Sequence, residues 1–179
     1  MPFRPIVVLV LVSLALAGTP VATEQPAEAP VASAVEQLRH AVGRWAVTTE
    51  FLRPDGTVGR TVSGTYEFEW IVPDRVVRGR SDIPELKQSA GILFYVNPTG
   101  KTIEMVSVGA DGQLFTMKGP LDGETRYSQT FKTADGKDSQ LRFTRSHVSP
   151  DRFESRMEHT EDGGQTWAPG NHQVFTRTK

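Results

Sequence analysis

The stretch Gly64-Thr65-Tyr66-Glu67-Phe68-Glu69-Trp70 decides the fold. Tyr66, Phe68 and Trp70 alternate strictly with Thr65, Glu67 and Glu69. Successive side chains of a β-strand point to opposite faces, so a period of two puts every large ring on one side and every polar group on the other. A helix would scatter both sets around its circumference. The segment is a strand with one dry and one wet face, a division that antiparallel sheets accommodate.

The same alternation recurs further along the chain. In Arg152–Thr160, Phe153, Ser155, Met157 and His159 share a face, while Arg152, Glu154, Arg156 and Glu158 share the other. In Gln140–His147 the set Leu141, Phe143, Arg145 and His147 falls together, and Tyr127, Gln129 and Phe131 form a further set. Turn dipeptides cut these runs at Asp55-Gly56, Asp111-Gly112, Asp122-Gly123, Asp135-Gly136 and Asp162-Gly163, with further breaks at Pro73-Asp74, Asn97–Gly100 and Ser149–Asp151. Asp tolerates positive φ and Gly favours it, so each pair suits a tight hairpin. The turns follow one another too closely for helical crossovers, which makes neighbouring strands antiparallel. The prediction is an all-β fold, an up-and-down meander of roughly nine or ten strands. A flat sheet of that width would leave two bare edges and a broad apolar face, and closure into a barrel removes both. A two-sheet sandwich is the alternative.

Ahead of the strands, Ser33–Gly43 reads as one short helix. Ser33 and Glu36 have capping-box spacing, Val35, Leu38 and Val42 share a face, and Gly43 is a natural stop. Earlier still, Arg4, the apolar run Ile6–Ala17 and the small-residue motif Ala15-Leu16-Ala17 have the form of a secretory signal peptide over residues 1–17. The run is too short for a stable membrane span. Residues 18–32, rich in Pro, Ala and Glu, read as a disordered spacer. The expected product is one domain over residues 33–179, secreted or periplasmic.

Composition narrows the function classes. Among 179 residues, 20 basic side chains nearly balance 21 acidic ones, and no basic run occurs. No net field draws the chain to nucleic acid or anionic lipid. The absence of cysteine excludes disulfides, thiolate nucleophiles, Cys-based metal sites and a lipid-attachment cysteine.

At Gly43-Arg44-Trp45 a family pattern emerges. A short helix followed by G-x-W opening the first strand of a meander resembles the lipocalin-like (calycin) folds. That resemblance implies that Trp45 plugs the closed end of a barrel and that a basic residue on the last strand, here Arg177, lies over its ring. The wider set "GRWAVTTEFLRPDGT", "YEFEWIVPDRVV", "FYVNPTGKTIEMVSV" and "DGGQTW" is similar to a bacterial family of secreted lipocalin-like domains of unknown function, across nearly everything from Val35 to Lys179. It implies a fold and transfers no catalytic residues.

The stretch Thr160–Trp167, "TEDGGQTW", resembles the Asp-box hairpin of sialidase-type propellers. A propeller needs the unit repeated, and here it occurs once. The motif reads as a structural turn: Asp162 accepts from the loop ahead of it, Gly163 and Gly164 take conformations closed to other residues, and Trp167 packs beneath.

Candidate chemistry is sparse. His40, His147, His159 and His172 form no metal-ligand spacing, so no metal is expected. No G-x-S-x-G elbow is present. Arg75, Arg78 and Arg80 read as a solvated rim with local ion pairs, or else as an anion clamp at the barrel mouth. The reading of the interior is a ligand site without catalytic residues or cofactor. Tyr66, Phe68, Trp70, Phe143 and Met157 line an apolar pocket for a small apolar or amphipathic molecule, and Tyr127, Gln129, Arg145 and His159 orient its polar end. An inward Arg145 must be paired or must meet an anion, unless the strand bulges there. Two other readings are carried: a haem-binding or small-barrel enzyme using His159, as the nitrobindins use a late-strand histidine, and a filled barrel serving as a cell-envelope interaction module.

Overall fold

The computed structural model describes residues 29–179, so the expected signal peptide and most of the spacer lie outside the described residues. Helix α1 (Ala29–Ala41) leads into β1 (Gly43–Leu52), β2 (Val58–Val72) and β3 (Val76–Ile83). After a 3-10 turn at Pro84–Leu86 come β4 (Gln88–Asn97), β5 (Thr102–Gly109), β6 (Leu114–Pro120), β7 (Thr125–Ser128) and β8 (Phe131–Lys132). The chain ends with β9 (Asp138–Ser149), β10 (Arg152–Thr160) and β11 (Ala168–Thr178). Consecutive strands pair from β1 to β7; β7 then passes to β9, β9 to β10, β10 to β11, and β11 returns to β1. That circuit is a closed ten-strand antiparallel barrel, and the two-residue β8 pairs only with the start of β9. All the expected turn dipeptides fall between strands; the 3-10 turn after β3 is a break that no Asp-Gly pair signals.

The alternation that decides the fold survives in the coordinates. Trp45 faces Tyr66 across β1 and β2, Phe68 faces Gly79 and Trp70 faces Val77 across β2 and β3. Tyr66, Phe68 and Trp70 are partly buried, whereas Thr65, Glu67 and Glu69 are exposed. Gly79 is a requirement of that packing: a Cβ there would collide with the Phe68 ring. Arg78 and Arg80 fall on the outer face, Arg78 paired to Glu69 at 2.5 Å, so the arginine cluster is solvated and clamps nothing inside.

Helix α1 plugs one end of the barrel. Ala34, Val35 and Leu38 bury against Val77, Val96, Ile103 and Leu121. Among the described residues the helix already includes Ala29, ahead of the expected Ser33. Ser33 therefore lies inside the helix and builds no capping box; the Glu36 carboxylate pairs with Arg39 instead. Below the plug, Trp45 is 1% exposed and donates its indole N–H to the Ala41 carbonyl at 2.8 Å. The Arg177 guanidinium lies 4.2 Å from the Trp45 ring centroid and donates to the Val42 carbonyl at 2.7 Å and the His40 carbonyl at 2.9 Å. The last carbonyls of a helix lack intrahelical partners, so Arg177 ties the end of α1 to the last strand. Gly43 has φ +124°, and a Cβ there would strike Arg177.

The hairpin after β10 is built on Asp162. Its carboxylate accepts from the Thr160 hydroxyl at 2.6 Å, the Thr166 hydroxyl at 2.6 Å and the Thr166 backbone N–H at 3.0 Å. These donors hold its pKa well below the usual carboxylate range. Gly164 has φ +90°, and the Trp167 indole donates to the Gly164 carbonyl at 3.1 Å. The motif is a turn whose polar groups satisfy one another.

Candidate functional site

Side chains pointing inward change size along the barrel axis. Next to α1 they are large: Trp45, Phe153 and Phe175 form one packed cluster. Further up, the inward positions hold Ser81 on β3, Ala90 on β4, Ser107 on β5 and Ser155 on β10. Cross-strand register puts two of these small residues side by side, Ser81 against Ala90, and sets Ser155 against Gln173. Where the small residues converge the barrel cannot fill itself, and a cavity of about 320 Å³ remains. Its walls are mostly aromatic and aliphatic: Phe68, Ile92, Phe94, Met105, Phe115, Met117 and Phe143, over a floor of Ala41, Phe153 and Phe175. Tyr66, Ser81 and Gln173 supply one polar wall. Burial holds the Tyr66 phenol above its ordinary pKa, opposed by hydrogen bonding to Gln173 and Ser81, so it stays a neutral hydroxyl.

The opposite wall carries two arginines. Arg145 on β9 forms a bidentate pair with Glu124, Nε to Oε2 at 2.8 Å and Nη2 to Oε1 at 3.3 Å. Its Nη1 donates to His40 Nδ1 at 3.3 Å. The partner of His40 Nε2 is the Ser149 carbonyl at 2.7 Å, which can only accept, so Nε2 carries the proton and Nδ1 is free to accept. Burial pushes the His40 pKa down, with Arg145 and Arg177 adding to the effect and the Ser149 carbonyl and Glu124 opposing it. His40 is thus a neutral, half-buried ring against Trp45 and Phe153 rather than a solvated helix residue.

Arg126 on β7 is the second. It is 8% exposed, and its Nη2 donates to Gln37 Oε1 on α1. The guanidinium carbon stands 5.1 Å from the Phe94 ring centroid. Among the described residues its Nε has no hydrogen-bond partner although it is buried. Burial pushes its pKa down to about 10, Arg145 adds to that, and Glu124 opposes it. It remains a cation at neutral pH.

The sequence-derived site residues divide into groups. Tyr66, Phe68, Phe143 and Arg145 line the cavity. Trp70 faces inward but packs beneath α1 in the closed-end core, because β2 runs past the cavity to reach the plug. Met157 and His159 sit on the inward face of β10, opposite Phe143 and Leu141, beyond the cavity lining. Met157 packs over Gly170, and His159, opposite Ala168 on β11, is not among the residues that line the cavity. His147 leaves the Leu141–Arg145 face: its φ of +49° marks an irregularity in β9, and its ring is exposed beside Glu154. Arg145, ahead of that break, stays inside.

Tyr127 and Gln129 are the substantial correction. Tyr127 points outward, 40% exposed, with its ring 6.0 Å from Trp167. Gln129 is exposed and accepts from the Thr116 backbone N–H at 2.7 Å, bridging two strands at their ends. Strand β7 is thus one residue out of the expected phase, and Arg126 and Ser128 are the inward pair. The missed residue was recoverable. Read as a two-residue hairpin loop, Asp122-Gly123 sets Leu121 opposite Glu124, and counting outward puts Met117 opposite Ser128, the observed register. With Met117 inward, Arg126 is inward too.

No protein-family model matches the sequence, and no curated protein does. Two solved structures are similar in fold. An S-type phycobiliprotein lyase from Guillardia theta is 10% identical, with a TM-score of 0.48 over 80% of this chain and 92% of that one. A de novo designed fluorescence-activating β-barrel is 15% identical, with a TM-score of 0.33 over 79% of this chain and 96% of that one.

Proposed function

We propose that the protein is an exported binding protein that holds one small amphipathic molecule inside its barrel. The observation that carries the reading is the cavity of about 320 Å³, walled by aromatic rings and opened by small residues turned inward. A pocket that is mostly apolar with a few converging polar groups is the usual form of a small-molecule site. The Trp45–Arg177 pair at the end of α1 supports kinship with the secreted lipocalin-like domains that the sequence resembles. Export rests on the N-terminal segment, with cleavage after Ala17 placing the mature chain outside the cytoplasm. The near balance of charge favours a neutral-surfaced carrier over a nucleic-acid partner.

Native mass spectrometry of the full chain expressed in its own cells tests both parts. The expected spectrum shows a mature chain beginning at Gly18 with an added mass that denaturation releases. Ala90→Phe, which puts a ring into the cavity, removes that added mass while the chain stays folded. An occupant that persists in Ala90→Phe, or a chain that carries no added mass and takes up no aliphatic alcohol, would sink the binding reading. An intact N-terminus would sink the export.

A further inference from the structure

The charges around the cavity do not balance. Arg126 and Arg145 bring two cations to one wall, Glu124 brings one anion, and that anion is already held in a bidentate pair by Arg145. His40 is neutral, and Gln37 is an uncharged partner. Among the described residues Arg126 is therefore a buried cation without its own carboxylate, and its Nε is a buried donor without an acceptor. Burying a charge in a low-dielectric interior is costly unless it is paired. A donor left unsatisfied adds its full desolvation penalty. The folded chain relieves this cost only in part, through the Phe94 ring, the bond to Gln37 and the charge of nearby Glu124. The Phe94 ring covers one side of the guanidinium and Gln37 takes one terminal nitrogen, so both fix the group without neutralising it.

We infer that the cavity takes an amphiphile with a single carboxylate head, bound head-down against Arg126 beneath α1 with its apolar tail lying among Phe94, Phe115 and Phe143 toward the open end of the barrel. The inference rests on the cavity reading and sharpens it. One unbalanced positive charge calls for a monoanion, and a carboxylate carries one charge at neutral pH on a planar group that matches the guanidinium fork. The depth follows from the contacts: Arg126 touches α1 through Gln37, so the charge sits at the plugged end. The size follows from the volume. At roughly 30 Å³ per water-sized group, the cavity has room for about ten non-hydrogen atoms.

The test compares decanoate with 1-decanol, which share a tail and differ in the head, by calorimetry on the mature protein at neutral pH. Decanoate is expected to bind about 10- to 100-fold more tightly than decanol, the range of one buried charge-assisted contact. In Arg126→Gln the two affinities converge to within about threefold, and in Arg126→Lys, which keeps the charge and loses the fork, an intermediate preference returns. A cooperative thermal transition in each variant shows that it is folded. Equal affinities in the unaltered protein overturn the carboxylate inference and leave the cavity reading standing. So does a preference that survives Arg126→Gln in the folded variant. Failure of both probes to bind overturns the cavity reading itself.

Discussion

Of the guanidinium groups that lie over aromatic rings in this barrel, Arg177 and Arg126 have opposite roles. Arg177 stands 4.2 Å from the Trp45 centroid, and each of its three nitrogens donates: Nε to the Pro150 carbonyl at 3.0 Å, Nη1 and Nη2 to the Val42 and His40 carbonyls. Arg126 stands 5.1 Å from the Phe94 centroid and keeps a buried Nε without a partner. A cation over a ring contributes about 0.5–2 kcal/mol in either place. What separates them is whether the remaining hydrogen-bonding capacity is spent within the chain. The first arginine is a brace that completes a helix terminus. The second is, in the proposed reading, a receptor whose satisfaction is deferred until something enters the cavity. Placement over a ring therefore says little about role; the accounting of donors does.

The brace end should be the more fragile. Trp45→Ala removes a side chain that is 1% exposed and the indole bond to Ala41, leaving a void under α1. Large aromatic truncations of this kind cost about 3–5 kcal/mol, to be read from the midpoint of chemical denaturation. A loss under about 1 kcal/mol would mean that the plug is not part of the cooperative core. Arg177→Met keeps much of the stem over Trp45 but strands the Val42 and His40 carbonyls, at an expected cost of about 2–3 kcal/mol.

The receptor should behave with the opposite sign. Arg126→Met in the unliganded protein removes an uncompensated buried charge, and replacement of such charges by apolar residues is neutral or stabilising by about 1–4 kcal/mol. We expect the lower part of that range, because the bond to Gln37 is lost as well, with a raised melting temperature for the apo chain. If Arg126→Met destabilises as Arg177→Met does, the two arginines are both braces and the contrast disappears.

Arg177 and the other cavity arginine, Arg145, share a neighbour, His40, whose backbone carbonyl accepts from Arg177 and whose ring accepts from Arg145. Its folded-state pKa lies below the unfolded value. Above the unfolded value both states hold the ring neutral, and its contribution to stability is complete. As pH falls through that value toward the folded pKa, the unfolded chain takes up a proton that the folded chain resists, and stability is lost. Denaturation midpoints should therefore drop between pH 7 and pH 5. His40→Asn should flatten that slope even as it lowers the plateau; an unchanged slope would remove His40 from the account.

How much of this was legible in the sequence depended on how strongly each strand committed its two faces. In β2 a slip of one residue would bury Glu67 and Glu69 and expose three aromatic rings, so the phase is unambiguous. The same holds at the helix terminus, where Gly43, Trp45 and Arg177 each have one workable place. Strand β7 has four residues, Thr125–Ser128, with one aromatic and one arginine as rival candidates for the interior. Hydrophobicity alone chooses Tyr127, and the choice fails because the hairpin register, with Met117 opposite Ser128, turns Arg126 inward. Trp70, Met157 and His159 show a second limit. Alternation gives the face of a strand and says nothing about height along the barrel, which register and tilt decide. Gln37 and Glu124, the partners that define the charge state of the cavity, come from a helix and a turn, where no period of two could announce them.

The smallest expected effect probes that one-residue phase directly. Tyr127 and Arg126 are adjacent on one strand, so they cannot both point inward. Tyr127 is half exposed against Trp167 on the outer surface, which itself rests on Arg142 at 4.4 Å. Tyr127→Ala should cost about 0.5–1.5 kcal/mol, the scale of one aromatic pair contact at a wet surface. Its preference for decanoate over decanol should stay within about twofold of the unaltered protein, since nothing on that face meets the cavity. A collapse of the preference in Tyr127→Ala, with Arg126→Gln left unaffected, would place the tyrosine inside and the arginine outside. The unbalanced charge would then sit in solvent, where it costs nothing and needs no ligand.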